Sequence, residues 1–351
     1  VICPTARAKT MRTVVIGGGM AGISAAIQLA ADGEEVLLVE SRECLGGCVR
    51  MRESREWVLD PGLHLLHRRG AFYQLLRKLR APRVLGPKWK HKDFFSIGQT
   101  RDSGLSVLTE MRPRSELAPP REFVIPYGGW TSLVGRLVAA ANQLGVVYEI
   151  ESTAESINFQ KGRVVSVVVE GKTIECDSIV IAASPFDTFQ LLSNAGLNAE
   201  SLESCTPHMV AALDVAIEGK VMRPYSGLYE PISGIIAIDV SSEGRIPENR
   251  HSNECTIIHA VHLKKDGDEA LEEIKNFLDS RCSGWRKLST LRRSTTSIML
   301  HPCEPEQRVD GAQYIDNGIV LAGAHVVSDS VLSDAAIETG RTAAKLLKNH
   351  R

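Results

Sequence analysis

Apolar and polar positions recur along this chain with two different periods, and the period separates strand from helix. Thr13–Ile16 is a short β-branched run that stops at three glycines, Gly17 to Gly19. Small and apolar residues then recur at helical spacing from Met20 to Ala31, and Asp32-Gly33 closes the segment. Glu35–Glu40 is a continuous apolar run bounded by acids, as expected of a parallel strand buried on both faces. The order is strand, glycine loop, helix, strand.

Further on, Trp57–Leu66 reads as extended with a break at Pro61-Gly62, and Ala71–Arg80 has helical periodicity. Ala81–Glu122 is rich in Pro, Arg, Lys and Gly and carries little periodicity. Thr131 is the expected N-cap of a helix running to Leu144, with Gly145 as its stop. Strands are expected at Val146–Ile150, Val164–Val169, Ser178–Ala182, Met209–Ile217, Thr256–Leu263 and Ile319–Leu321, and helices at Asp268–Leu278 and Asp334–Lys348. Alternating β and α at both ends around a strand-rich middle predicts an α/β fold. A Rossmann-type parallel sheet with helices on both sides would carry an inserted α+β cap.

Composition narrows the classes. The chain has 351 residues, 43% hydrophobic and 24% charged, enough for about two domains. A net charge of −1 gives no electrostatic case for nucleic acid. No apolar run is long enough to span a membrane, although a peripheral contact stays open. Eight irregularly spaced cysteines do not form a disulfide framework, so free thiols in the cytoplasm are expected. Cys44 and Cys48 lack a second pair to complete a zinc site, and no metal is expected. Met11, directly before the first strand, reads as the natural start.

Gly17-x-Gly19-x-x-Gly22 sits between the first strand and helix, where a dinucleotide fingerprint belongs. Gly17 permits the tight turn, Gly19 lets backbone approach a pyrophosphate, and Gly22 lets helix pack on strand. Glu40 ends the next strand, where a carboxylate can accept hydrogen bonds from a ribose. It disfavours a 2′-phosphate, which leaves FAD or NAD.

The remaining blocks decide between the two. They are Gly46-Gly47 with Arg50, then Asp60-x-Gly62-x-His64, Pro126-x-Gly128-Gly129, Cys176–Ala183, Gly318–Ala324 and Ala336–Ala344. In this order the chain resembles the flavin-dependent superfamily of protoporphyrinogen oxidase, phytoene desaturases and flavin amine oxidases. The resemblance covers Thr13–Leu66, Ile125–Pro185 and Asn317–Lys348. It implies noncovalent FAD, with Gly17, Gly19 and Gly22 flanking the pyrophosphate and Glu40 holding the adenosine ribose. Gly46, Gly47 and Arg50 would line the ribityl run, with Gly62 in the same cofactor-binding set. Ala154 would meet the adenine, Gly323 and Ala324 the pyrophosphate and ribityl chain, and Ala336 the pyrimidine end of the flavin. Two departures stand out: Cys48 follows the Gly-Gly pair where many relatives have Arg, and Ala324 stands where many have Glu or Asp.

The resemblance implies residues 11–70, 126–203 and 309–351 for the FAD-binding domain, and 71–125 and 204–308 for the substrate cap. Candidate catalytic side chains are His64, His301 and His325, since imidazole is poised near neutral pH. The amine oxidases that the chain resembles commonly use a lysine beside flavin N5, and the comparable strand here, His208–Ile217, has none, so the resemblance implies amine oxidation less than other oxidations. The expected reaction is oxidation or desaturation of a small or medium organic substrate by hydride transfer to flavin N5. The alternatives are an isomerase or mutase using reduced FAD, and a redox-silent FAD-binding scaffold.

Overall fold

A computed structural model describes residues 12–49, 52–54, 56–60, 66–81, 85–90, 94–96 and 122–350. The strands are β1 Arg12–Ile16, β2 Glu35–Glu40, β3 Arg52–Ser54, β4 Trp57–Leu59, β5 Leu66–His67, β6 Leu85–Lys90, β7 Phe94–Ser96, β8 Glu122–Pro126, β9 Val147–Ile150 and β10 Ala154–Gln160. They continue with β11 Arg163–Val169, β12 Lys172–Glu175, β13 Ser178–Ile181, β14 His208–Ile217, β15 Gly227–Glu230, β16 Ile235–Asp239, β17 Thr256–His262, β18 Ser289–His301 and β19 Ile319–Leu321. Helices named below are α1 Met20–Ala31, α2 Ala71–Lys78, α3 Gly129–Gln143, α4 Pro185–Asn194, α5 Gly267–Arg281 and α6 Leu332–Asn349.

Five strands form a parallel sheet in the order β19-β13-β1-β2-β9, with β1 at its centre. Successive side chains on a strand point to opposite faces, and here both faces are apolar. Val15, Val36, Leu38, Val180 and Val320 pack under α1, α3 and α6. Their neighbours Val14, Ile16, Leu37, Val39, Ile179, Ile181, Ile319 and Leu321 pack against the antiparallel sheet β10-β11-β12 and α4. The continuous apolar runs therefore mark strands covered on both sides. Helix α2 shares the first of these cores through Phe72, Leu75 and Leu76.

A second sheet, β18-β14-β17-β16-β15-β7, is antiparallel except where β7 meets β15. One face packs α5 through Ala270, Leu271, Ile274 and Phe277. The other packs Trp57, Leu59 and Ile125 from the first half of the chain.

Two aspartates distant in sequence start two helices. Helix α3 begins at Gly129, earlier than the Thr131 cap implied, because the Asp60 carboxylate accepts the Trp130 N–H at 2.9 Å. Helix α2 is capped the same way, Asp334 Oδ1 accepting the Phe72 N–H at 2.8 Å. Asp60 also anchors a buried charged chain. Arg245 Nη2 lies 3.2 Å from Asp60 Oδ2 and 3.0 Å from His259 Nε2, and His259 Nδ1 bonds Asp214. A guanidinium only donates, so His259 Nε2 accepts and Nδ1 carries the proton. Burial, then the Arg245 charge, pushes the His259 pKa down to about 3, and the ring is neutral.

Candidate functional site

A cavity of about 580 Å³ runs along the carboxyl ends of the parallel strands, the edge where open α/β sheets bind ligands. Its volume lies within the roughly 300–1,000 Å³ usual for cofactor sites. Glycine backbone forms one wall. Gly17 has φ +103°, and a Cβ there would stand 2.5 Å from the Ala182 carbonyl oxygen, so only glycine turns the chain at this point. Gly19 is the N-cap of α1, has no side-chain cap, and is followed by no acid in the first turn. The helix thus directs open N–H groups and its positive end toward the cavity. Gly47 crosses close to Gly19, a Cβ on it falling 3.0 Å from the Gly19 Cα.

Glu40 is buried, and backbone fixes its carboxylate. Oε2 accepts the Gly18 N–H at 2.7 Å and Oε1 accepts the Arg42 N–H at 2.9 Å. A carboxylate offers about four acceptor positions, which leaves capacity for hydroxyl donors in the cavity. Ser152, Thr153 and Ala154, leading into β10, form the wall beside it.

At the other end, Gly323 follows β19 and is clamped to α6: its N–H donates to Thr339 Oγ1 at 3.0 Å. Its φ is +147°, and a Cβ would meet the His325 ring at 2.5–2.6 Å. Ala324, His325, Leu332, Ser333 and Ala336 continue this wall, and Trp130, Val210, Ile298, Met299, Leu300 and Pro302 close it with apolar surface. The His325 ring is buried and its Nε2 has no hydrogen-bond partner among the described residues. Desolvation lowers its pKa to about 4, so it is neutral at pH 7.

The structure brings most of the residues singled out in the sequence together. Gly17, Gly19, Glu40, Gly46, Gly47, Gly323, Ala324, His325, Ala154 and Ala336 all line this one cavity. Gly22 does not line it; a Cβ there would strike the Gly17 carbonyl oxygen, so its absence lets α1 sit on β1. Arg50, Gly62 and His64 lie outside the described residues. His301 is turned elsewhere: its ring stacks on His208, with centroids 4.8 Å apart, and Nδ1 bonds the Cys303 carbonyl. Burial lowers its pKa as well. Trp130 also lines the wall, as do Met299, Leu300 and Pro302 at and just beyond the end of β18, which the sequence did not mark as a strand.

The wall fits an extended dinucleotide. It offers glycine cradles that a Cβ would fill, helix N–H groups with no acid before them, and a carboxylate with free acceptor capacity. Comparison with known proteins agrees. Residues 102–348 match the family of flavin containing amine oxidoreductases, and residues 15–79 match the NAD(P)-binding Rossmann-like domain. An L-amino-acid oxidase from Crotalus adamanteus is 41% identical over 58 residues, 16% of this chain and 11% of that protein. A 4,4'-diaponeurosporene oxygenase from Staphylococcus aureus is 36% identical over 98 residues, 26% of this chain and 20% of that protein. The matched stretches thus span a fifth or less of these relatives. An oxidoreductase from Methanosarcina mazei shares the fold, with a TM-score of 0.74, 13% identity and coverage of 95% of this chain and 100% of that one.

Proposed function

Because the chain belongs to the family of flavin-containing amine oxidoreductases, with FAD as cofactor and oxidoreduction as its class of chemistry, we propose that it oxidises or desaturates an apolar organic substrate of small or medium size. One observation carries the substrate class. The cavity lining includes an apolar group, Trp130, Val210, Ile298, Met299, Leu300 and Pro302, and no lysine is among the described lining residues. An ammonium group would find no carboxylate there, since the acids of the lining, Glu40, Glu155 and Asp187, belong to β2, β10 and α4.

In this reading Gly17, Gly19, Gly46 and Gly47 hold the pyrophosphate and ribityl run, and Glu40 holds the ribose. Gly323, Ala324 and Ala336 bound the flavin end. When bound, FAD supplies a ring that takes a hydride equivalent from the substrate and passes the electrons to oxygen or another acceptor. We assign the attachment as noncovalent. Residues 11–70, 126–203 and 309–351 form the cofactor-binding unit, and 71–125 and 204–308 the substrate side. Helix α2 is a piece of the latter that packs with the former.

His325 is the titratable group at the apolar end among the described lining residues. Held neutral by burial, it offers Nε2 as a hydrogen-bond acceptor, and a proton taken up there must be passed on at once, since burial disfavours the cation. The chain's remaining part in the chemistry is to exclude water and orient substrate against that wall.

Anaerobic mixing of the purified protein with isoprenoids, porphyrinogens and primary amines tests the substrate class. Bleaching of the flavin by apolar substrates is expected; bleaching by amines alone overturns it. His325→Gln should lower kcat and alter its pH profile while FAD content stays unchanged. An unchanged kcat removes His325 from the chemistry.

A further inference from the structure

Outside the cavity, His208, His301 and Glu304 converge although the flavin site leaves them unused. We propose that they form a binding site for one divalent first-row transition ion of the Zn²⁺ class.

Strand pairing creates the cluster. His208 at the start of β14 lies directly across from His301 at the end of β18, and directly opposed side chains on antiparallel strands are neighbours. Glu304 follows three residues after His301, in the turn. One nitrogen from each ring and a carboxylate oxygen all lie within 4.8 Å of one another.

The second nitrogen of each ring is already engaged by backbone. His208 Nε2 donates to the Leu263 carbonyl at 2.8 Å, and His301 Nδ1 donates to the Cys303 carbonyl at 2.8 Å. This fixes both tautomers and leaves a lone pair on His208 Nδ1 and on His301 Nε2. A carbonyl behind each imidazole is the outer-shell arrangement of metal-ligating histidines.

The contact at the centre calls for a cation. His208 Nδ1 stands 3.2 Å from Glu304 Oε1. In the neutral ring both atoms are acceptors, and two acceptors at that distance repel unless a proton or a metal ion lies between them. Bonds of about 2.0–2.1 Å from a tetrahedral Zn²⁺ place its ligands roughly 3.3 Å apart; the His208–Glu304 pair already stands at that spacing, while the stacked rings must turn so that all three donors, now within 4.8 Å of one another, converge. Two imidazoles and one carboxylate suit zinc or copper rather than magnesium. Side-chain exposures of 28% for His208 and 50% for Glu304 give the ion access from solvent and leave a fourth position for water.

The site lies against the substrate wall. Leu300 and Pro302, the chain neighbours of His301, line the cavity. An ion clamping β14 to the turn after β18 would therefore stiffen the apolar end of the pocket without touching the flavin.

Zn²⁺ titrated calorimetrically into chelator-treated, FAD-loaded full-length protein tests the proposal. One saturable site is expected, tighter for Cu²⁺ than for Zn²⁺ and not displaced by excess Mg²⁺. His208→Gln, His301→Gln and Glu304→Gln should each raise the dissociation constant at least about tenfold, with FAD content confirming the fold. In the unaltered chain, one equivalent of Zn²⁺ should shift two of the ten histidine ring systems in an NMR spectrum. Absence of saturable binding, or equal affinity in the His208→Gln/His301→Gln double variant, overturns the site and leaves a proton-bridged ion pair. Neither result bears on the flavin reading, which rests on a separate wall.

Discussion

Arg245→Met probes the junction between the cofactor sheet and the second sheet. Arg245 is 1% exposed, and Asp60, Asp214 and His259 around it are fully buried. Its guanidinium faces Asp60 at 3.2 Å and donates to His259 at 3.0 Å. Methionine fills similar volume but removes the charge that compensates two buried carboxylates. Among the described residues Asp60 would keep only the Trp130 N–H, and its Oδ1 already lacks a partner there. Stranding a buried charge costs about 3–5 kcal/mol, which for a chain of this size lowers Tm by roughly 4–7 °C. Because Asp60 caps α3 and Trp130 lines the cavity, FAD affinity should fall along with stability. Differential scanning fluorimetry of the holoprotein, with a fluorescence titration of FAD, reads both. The double variant Asp60→Asn/Arg245→Met should lose less stability than the two single losses combined, since it removes the stranded charge. A Tm for Arg245→Met within about 2 °C of wild type, or simple additivity in the double variant, would refute the coupled network.

Other substitutions probe the site directly. Gly323→Ala forces a Cβ onto the His325 ring at a φ of +147°, and should cost about 1–3 kcal/mol and raise the FAD dissociation constant; unaltered binding would exclude that close approach. Glu40→Gln turns one acceptor oxygen into a donor facing the Gly18 or Arg42 N–H, with an expected loss of about 1–3 kcal/mol and of roughly a factor of ten or more in FAD affinity; equal retention of FAD on a gel-filtration column contradicts this. The pH dependence follows from His259 and His325, whose pKa values fall to about 3 and about 4 in the folded protein. Below about pH 6.5 the unfolded chain protonates both rings and the native state neither. Their contribution is complete above that pH and is lost as pH falls, by roughly 2–3 kcal/mol per unit between about pH 6 and pH 4.5. Urea unfolding should show this slope, and His259→Gln should reduce it by about half; a flat profile contradicts the buried neutral state.

Legibility in the sequence followed how local the signal was. The unit from β1 to β2 could be read because strand, glycine turn, helix and terminal acid are contiguous, and each residue's role depends on near neighbours. The start of α3 could not, because its cap is Asp60 rather than Thr131. Strand β18 escaped notice for another reason: Ser289 to Thr296 alternate between exposed and half-buried side chains that are polar except for Leu291, so no apolar run announces its start. The sequence makes His301 a catalytic candidate. The ring instead faces His208, a pairing set by β14–β18 register, which is a long-range property. Cofactor contacts on short turns were therefore visible in advance, whereas the apolar wall, built by β14 and β18, needed the fold.

The most direct test of the flavin cavity is cofactor stoichiometry in the purified full-length protein, compared with a Gly17→Val variant that closes the turn beside Ala182. The account predicts a yellow protein carrying one FAD per chain, released intact on denaturation, and a colourless variant. A wild-type chain that stays colourless and takes up no FAD on reconstitution would contradict it.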